Sequence, residues 1–359
     1  MKECIILTGG GTAGHTTVNL KLKDELNKYF DKIIYIGSKQ GIERELVAKN
    51  TNYHYIPITT VKLNRSKILS NITIPFKLSK GVKEAIKIIK QYKPSVIFSK
   101  GGYVGLPVTI AGKKCGVPVI CHESDLTMGL ANKLAKKYAK VVCTNFKKTA
   151  NIDKNKCKYT GMPLKFSNFS KKEAKIKLNI HSEKPVLLVT GGSLGAKVLN
   201  DFVFNNIQYL TSLFYVYHIT GKGNINDKIS INDYRQVEFS NDMQTIFSAS
   251  DYALSRAGAN TCIELLSNKI LTIFVPLSNK SSRGDQVENA EYLSSQGMCV
   301  SLPQEKLNIL SFMANINKLK QNSSQIINSI NNYNITDGTT KIISIILNNK
   351  LELKNKNVK

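Results

Sequence analysis

The sequence predicts an α/β protein of two doubly wound, Rossmann-like domains. Three observations lead to this fold class: β-rich apolar runs alternate with amphipathic helical segments, the alternation restarts in mid-chain, and three glycine turns each follow a strand and open a helix. We place an N-terminal domain at 1–163 and a C-terminal domain, ending in a helical stretch, at 164–359. Two such domains are expected to face each other across a ligand-binding cleft.

Each domain is predicted from its own series of strands and helices. The first series has strands at 4–8, 32–36, 53–56, 95–98, 117–121 and 140–143, with clear helices at 18–29, 76–92 and 130–138. A lysine-rich helix near 170–178 precedes the second series, in which the strand and turn of KPVLLVTGG are followed by strands at 214–220, 237–239, 252–254, 271–275 and 299–302. Helices are expected from about 304 onward.

The composition leaves few classes of function open. Three explanations are compatible with the net charge of +26: the protein binds nucleic acid, it works at an anionic membrane surface, or its genome is biased toward lysine codons. Because no RNP, KH or helix-turn-helix signature is present, we expect no nucleic-acid partner. The seven cysteines form no C-x-x-C pair, which favours neither disulfides nor zinc. No apolar run approaches a membrane span or a signal peptide, so we expect a cytosolic protein.

The three glycine turns are the strongest local signal. They are GGGTAGH at 9–15, KGGYVG at 100–105 and TGGSLG at 190–195. The first matches G-x-G-x-x-G, but a dinucleotide site needs an acid about 20 residues further on, after the second strand. Gly37 and Ser38 occupy that place, which disfavours a nicotinamide enzyme. The remaining alternatives are a phosphate-bearing ligand at these turns or tight packing of strand on helix. His15, at a helix start, is a candidate base.

Polar residues after two later strands are typical of a nucleotide-sugar site. Glu264, in SRAGANTCIELL, could accept both hydroxyls of a ribose. Arg283, Asp285, Gln286 and Asn289 cluster in VPLSNKSSRGDQVENA, where paired donors and acceptors suit a sugar. A solvated or capping carboxylate is the plain alternative for Glu264 taken alone.

Taken together, these stretches resemble the MurG family of N-acetylglucosaminyltransferases, which make the lipid II precursor of peptidoglycan. The resemblance runs from GGGTAGH through KGGYVGLPV, VPVICHESDLTMGLANK, TGMPLK, TGGSLGAKVLN, TGKG and RAGANTCIELL to FVPLSNKSSRGDQVENA. It implies a GT-B fold and transfer of GlcNAc from UDP-GlcNAc to the MurNAc 4-hydroxyl of lipid I, with inversion at the anomeric carbon. The alternative is another GT-B enzyme with a lipid acceptor, similar to diacylglycerol glycosyltransferases.

The resemblance also implies roles for individual residues. His15 would be the base, with Asp125 as the second candidate. The donor would meet Thr12, Gly14, Lys165, Gly192, Ser193, Ser240, Ala259, Asn260, Glu264, Asp285 and Gln286, with Phe239 beside the uracil. The acceptor would meet Gly11, Ala13, Gly101, Gly102 and Tyr103. Lys165 replaces the family's arginine and keeps its charge without the planar fork. No D-x-D motif stands where a metal is expected, so no cofactor is required, although a divalent cation could assist.

A lipid-linked acceptor implies contact with a membrane. Segment 61–83 interleaves basic residues with apolar ones such as Ile72, Ile74 and Phe76, which suits the anionic cytoplasmic face of the cell membrane. The alternative is a helix that buries its apolar face within the protein. The implied partners are UDP-GlcNAc, lipid I, this membrane surface and other cell-wall synthesis proteins.

Overall fold

The computed structural model describes residues 3–62, 72–192, 194–278 and 283–356. The chain divides into two compact units, one formed by 1–164 with 337–359 and the other by 165–336. Each unit is built around one parallel sheet. No helix in the described ranges is both long and apolar enough to cross a membrane.

The first unit contains a seven-stranded sheet in the order β3-β2-β1-β4-β5-β6-β7. Its strands are β1 (Cys4–Thr8), β2 (Lys32–Ser38), β3 (His54–Ile58), β4 (Val96–Ser99), β5 (Val119–Glu123), β6 (Val141–Thr144) and β7 (Cys157–Tyr159). Its helices are α1 (Ala13–Lys21), α2 (Lys23–Tyr29), α3 (Ile42–Asn50), α4 (Ile74–Tyr92), α5 (Gly102–Lys114), α6 (Leu130–Ala135) and α7 (Lys147–Ala150). Strand order reverses between β1 and β4, the usual place for a ligand in such sheets.

The second unit repeats this plan in six strands, ordered β10-β9-β8-β11-β12-β13. Its strands are β8 (Val186–Thr190), β9 (Tyr215–Ile219), β10 (Tyr234–Val237), β11 (Tyr252–Ser255), β12 (Leu271–Phe274) and β13 (Val300–Ser301). Its helices are α8 (Lys171–Lys177), α9 (Lys197–Asn205), α10 (Ile207–Leu213), α11 (Met243–Ala249), α12 (Ala259–Ser267), α13 (Asp285–Ser295), α14 (Ile309–Gln321) and α15 (Ser323–Tyr333). Strand order reverses between β8 and β11.

The central strands are continuous apolar runs because parallel sheets are covered on both faces. Strand β1, CIILT, is buried along its whole length. Its side chains alternate between two cores, with Ile6 in one cluster and Ile5 and Leu7 in the other. This burial fixes the carboxyl end of β1, and with it the start of the first glycine turn.

The last helix, α16 (Thr339–Lys356), belongs to the first unit. Ile342, Ile343 and Ile346 are buried in the same cluster as Ile5 and Leu7 of β1. Assigning all of 164–359 to the C-terminal domain was therefore wrong for this helix. Sequence order suggested the assignment, whereas the apolar face of α16 is covered by the first sheet.

Three other elements differ from the prediction. The strand predicted at 237–239 is β10, which runs over Tyr234–Val237 and shares only Val237 with the prediction. The predicted helix at 18–29 begins at Ala13 and is divided into α1 and α2 at Leu22. Strand β7 was not predicted, because its three residues are too few to show a strand pattern.

Candidate active site

The first glycine turn leads from β1 into α1 and is held by buried side chains. The amide of Asn19 donates to the Thr8 carbonyl at 3.1 Å and to the Tyr35 hydroxyl at 3.2 Å. That hydroxyl donates to the Gly9 carbonyl at 2.6 Å. The turn is thereby fixed to β1 and β2 before the helix starts.

His15 lies in the first turn of α1, and its ring contacts the glycine turn. Thr12 caps the helix, because its side chain accepts a bond from the backbone N–H of His15. The Nδ1 atom of His15 lies 3.0 Å from the Gly10 carbonyl oxygen and 3.1 Å from the Thr12 hydroxyl. A carbonyl oxygen can only accept, so a neutral ring carries its proton on Nδ1. Nε2 is then the basic nitrogen, as a general base requires.

The second glycine turn packs directly against the first. A Cβ atom on Gly102 would lie 2.6 Å from the Gly10 carbonyl oxygen and 3.1 Å from Nδ1 of His15. A Cβ on Gly11 would lie 2.4 Å from the Tyr103 ring. The structure thus brings together Gly11, Gly102, Tyr103 and His15, four of the residues predicted to act on the acceptor.

Asp125 follows β5 in a loop organised by Glu123. The buried carboxylate of Glu123 accepts bonds from the backbone N–H groups of Asp125 at 3.0 Å and Gly129 at 3.1 Å, and from the Asn132 amide at 3.0 Å. The Asn132 side chain also lies so close to Gly101 that only glycine leaves room for it. A Cβ on Gly101 would lie 2.2 Å from Oδ1 of Asn132. Asp125 is therefore presented at the carboxyl end of the same sheet as His15.

Lys100 and Glu123 are buried charged residues that the sequence analysis missed. Burial lowers the pKa of Lys100 and raises that of Glu123, because each charged form loses its hydration, and their mutual attraction opposes both shifts. The nearby His122 is fully buried, and burial also lowers its pKa well below the usual value. Lys100 lies directly before the two glycines of KGGYVG, and Glu123 lies in HESD. Their positions in these motifs were the signal by which the sequence could have identified them.

Glu43 corrects the argument that no acid follows β2. It lies near the start of α3 and is fully buried. Its carboxylate accepts bonds from the backbone N–H of Ser38 at 3.0 Å and of Gly11 at 3.2 Å. A carboxylate thus does lie at the end of β2, but it faces the glycine turn from inside the protein, where it cannot serve a ribose.

The third glycine turn follows β8 in the second unit. A Cβ on Gly195 would lie 2.0 Å from the Thr220 carbonyl oxygen, so this glycine allows two loops to touch. Gly192 has a φ of +87°, and a Cβ there would meet none of the described residues within 4 Å. The turn therefore combines a tightly packed glycine with an open one. Ser193, predicted to meet the donor, lies outside the described residues.

The predicted donor residues lie at the carboxyl edge of the second sheet. Helix α12 begins at Ala259, which is buried, and carries the half-buried Asn260 and Glu264. Because β8 and β11 are neighbours, the Gly192 turn and the start of α12 follow adjacent strands on either side of the strand-order reversal. This juxtaposition supports a phosphate-bearing ligand at the reversal point.

The segment around α13 supplies further polar groups in the same unit. Arg283 and Asp285 form an ion pair at 3.7 Å, and Oε1 of Gln286 accepts a bond from the backbone N–H of Leu277 at 3.0 Å. Asn289 is buried and donates to the Ala257 carbonyl at 3.3 Å, so its amide connects α13 to the loop before α12. The sequence predicts sugar binding for Asn289, and in the structure its amide holds the Ala257 backbone.

The remaining predicted donor residues are more dispersed. The Ser240 hydroxyl accepts a bond from the Asp242 backbone N–H at 3.1 Å, next to the exposed ring of Phe239. Lys165 is exposed and is the first residue of the second unit. Among the described residues, no group of three or more His, Cys, Asp and Glu side chains is arranged to hold a metal ion.

Comparison with known families gives matches in both units. The family model for the glycosyltransferase family 28 N-terminal domain matches residues 5–144, and the model for its C-terminal domain matches 186–343. A protein of Clostridium botulinum (strain Alaska E43 / Type E3) is 42% identical over 96% of this chain and 98% of its own length. Its name is UDP-N-acetylglucosamine--N-acetylmuramyl-(pentapeptide) pyrophosphoryl-undecaprenol N-acetylglucosamine transferase. A Clostridium tetani protein of the same name is also 42% identical, with the same coverage.

Solved structures match the fold of the whole chain. The crystal structure of Acinetobacter baumannii MurG has a TM-score of 0.77 and 23% identity, covering 96% of this chain and 99% of its own. A glycosyltransferase of kitacinnamycin has a TM-score of 0.72 at 12% identity, covering 97% and 99%. These likenesses confirm the predicted two-domain GT-B α/β fold. With its matches to both family models and its 42% identity to the clostridial enzymes, the chain belongs to glycosyltransferase family 28 and to the MurG family within it.

Proposed function

We propose that this enzyme transfers GlcNAc from UDP-GlcNAc to the MurNAc 4-hydroxyl of lipid I, forming lipid II for peptidoglycan. The observation that carries the proposal is the 42% identity, over 96% of the chain, to transferases whose names state this donor and this acceptor. The GT-B fold is compatible with many sugar transfers, so the fold by itself would not select this acceptor.

The first unit supplies the acceptor side of the reaction. Nε2 of His15 removes the proton of the attacking hydroxyl, since the Gly10 carbonyl favours the tautomer protonated on Nδ1. Asp125 is the second candidate for the base, because the Glu123 loop presents it at the carboxyl edge of the same sheet. Gly11, Ala13, Gly101, Gly102 and Tyr103 border the acceptor in this assignment. The close approach of Gly102 to His15, and of Gly11 to the Tyr103 ring, supports it.

The second unit supplies the donor side. Glu264 accepts the ribose hydroxyls, Asp285 and Gln286 contact the GlcNAc hydroxyls, and Ser240 lies beside the uracil. The diphosphate meets Gly192 and the N-terminus of α12 at Ala259 and Asn260, where backbone N–H groups stabilise negative charge. The same partial positive charge stabilises UDP as the bond to C1 breaks. Lys165 and Ser193 of this unit also belong to the proposed donor set, to which the resemblance adds Thr12 and Gly14 of the first unit.

We propose that the reaction requires no cofactor. The hydroxyl attacks C1 opposite the leaving UDP, a single displacement that inverts the anomeric carbon and changes no oxidation state. Helix N-termini and backbone N–H groups are one way to stabilise a departing diphosphate. Unchanged turnover after exhaustive treatment with a chelator supports this proposal, whereas loss of activity that Mg²⁺ restores would overturn it.

We further propose peripheral binding at the cytoplasmic face of the cell membrane. Ile72 is 67% exposed and Phe76 is 77% exposed, with Lys77 and Lys80 also exposed on the same stretch. Exposed apolar side chains beside cations suit an anionic lipid surface. Residues 63–71 of the predicted membrane segment lie outside the described residues.

The decisive experiment is transfer of labelled GlcNAc by the purified enzyme in detergent. Lipid I and diacylglycerol are offered as acceptors, with UDP-GlcNAc and UDP-glucose as donors. The proposal predicts a product only with lipid I and UDP-GlcNAc. Transfer to diacylglycerol, with none to lipid I, would instead support the alternative lipid glycosyltransferase.

A further inference from the structure

One peptide bond of the first glycine turn is contacted by functional groups on both sides. The N–H of Gly11 donates to Oε2 of Glu43 at 3.2 Å, and the Gly10 carbonyl oxygen lies 3.0 Å from Nδ1 of His15. This N–H and this carbonyl belong to the same trans peptide, whose two polar groups point in opposite directions. The peptide therefore lies between the carboxylate and the imidazole.

The Glu43 carboxylate is held in one position. Its Oε1 atom accepts bonds from the backbone N–H of Ser38 at 3.0 Å and the Ser38 hydroxyl at 2.5 Å, while Oε2 faces Gly11. Three donors on two oxygens suit an ionised carboxylate, which only accepts.

Both residues of this peptide must be glycine for the contacts to exist. A Cβ on Gly10 would lie 2.5 Å from the Glu43 carboxyl carbon. Gly11 has a φ of +86°, and a Cβ there would lie 2.4 Å from the Tyr103 ring. A Gly-Gly peptide rotates easily, so its orientation depends on the groups that bind it.

We propose that Glu43 is a positioning residue that selects the tautomer of His15 through the Gly10–Gly11 peptide. Glu43 holds the Gly11 N–H, which turns the Gly10 carbonyl toward His15. That carbonyl keeps the proton on Nδ1 and leaves Nε2 as the base. The inference rests on the proposed function, in which His15 is the base, but the coupling itself is a property of the resting protein.

The test variant is Glu43→Gln in the full chain. The two Ser38 donors retain the single amide oxygen, so the amide NH2 faces the Gly11 N–H. Two opposed donors repel, and the peptide rotates away from its present orientation. Gly10→Ala is the second variant, because the added methyl group displaces the Glu43 carboxylate from its present position. This variant tests the same coupling if Glu43→Gln does not fold.

The matched control is Glu84→Gln. The Glu84 carboxylate also holds backbone, because it accepts bonds from the N–H and the hydroxyl of Thr59 at 2.5 and 3.0 Å. Among the described residues, no hydrogen bond joins Glu84 to the glycine turn. It therefore reports a similar loss of structural hydrogen bonds without any change at His15.

The measurement is the pair of ring 15N shifts of His15 in histidine-labelled enzyme, assigned by comparison with His15→Gln. We expect an Nδ1–H ring in the wild type and in Glu84→Gln. In Glu43→Gln or Gly10→Ala, we expect a large rise in the Nε2–H form and a fall in kcat of roughly 10- to 100-fold with little change in KM. A wild-type His15 spectrum in both of these variants, or an equal change in Glu84→Gln, would overturn the inference. Full activity in His15→Ala would refute the base role alone and leave the tautomer result to stand.

Discussion

Nδ1 of His15 lies 3.0 Å from the carbonyl oxygen of Gly10, at the start of α1. Because that carbonyl can only accept, the contact selects the neutral tautomer in which Nε2 is basic. The contact also explains why the histidine belongs at this helix start. A side chain in the first turn is close enough to the preceding loop to be oriented by its backbone.

Replacing His15 with alanine should lower kcat by roughly 10²- to 10⁴-fold, the usual contribution of a general base. Steady-state kinetics with lipid I measure this loss. His54→Ala is the matched control, since His54 is exposed in the same unit and should leave kcat unchanged. Near-normal turnover in His15→Ala, with a large loss in Asp125→Asn, would identify Asp125 as the base.

Removing the Glu264 carboxylate should weaken UDP-GlcNAc binding by roughly 10- to 100-fold. Hydrogen bonds to a charged group contribute about 1.5–3 kcal/mol, and about 1.4 kcal/mol is a factor of ten. Calorimetry should compare wild type, Glu264→Ala and the control Glu291→Ala, whose side chain is exposed on α13. Binding of NADH in place of UDP-GlcNAc would contradict the donor assignment and restore the nicotinamide alternative.

The buried imidazole of His218 should make the second unit less stable in acid. Nε2 lies 3.0 Å from Oδ1 of Asn200, and burial lowers the pKa of His218 from 6.5 to about 4. A folded-state pKa below the unfolded value gives stability that is present above pH 6.5 and lost as the pH falls toward 4. The loss should reach about 3 kcal/mol, at about 1.36 kcal/mol per pKa unit.

Denaturant unfolding between pH 7 and 4 measures this effect. His218→Gln should flatten the pH dependence of the free energy of unfolding, whereas the exposed-site control His54→Gln should follow the wild type. Parallel curves for wild type and His218→Gln would show that another group causes the acid sensitivity.

Replacing Phe76 with serine should reduce binding to anionic vesicles by roughly tenfold or more, since burying a phenylalanine side chain contributes about 1.5–3 kcal/mol. Sedimentation with anionic and neutral vesicles provides the measurement. Leu310→Ser is the control, because Leu310 is 81% exposed on α14 of the other unit. Equal binding of the wild type to neutral vesicles would refute the electrostatic part of the proposal. An equal loss of binding in Leu310→Ser would show that the surface around Phe76 is not the membrane-binding surface.

The amino-acid sequence by itself determined the fold class, the three glycine turns and the family. Each of these can be recognised from short, continuous stretches of residues. The run CIILT specifies a buried strand, and the glycines after it specify a turn into a helix. Because the donor motifs also lie in short, continuous stretches, Glu264 and Gln286 could be selected as candidates without a structure.

Only the tertiary structure decided which distant segments meet. It placed α16 on the first sheet, Lys100 near Glu123, and Glu43 against a peptide 32 positions earlier in the chain. Periodicity shows that a face is apolar but does not show which surface covers it. A carboxylate near the end of a strand has the same sequence pattern whether it faces a ligand or the protein interior. Burial and the positions of its donors decide between these, and both arise from packing of the whole unit.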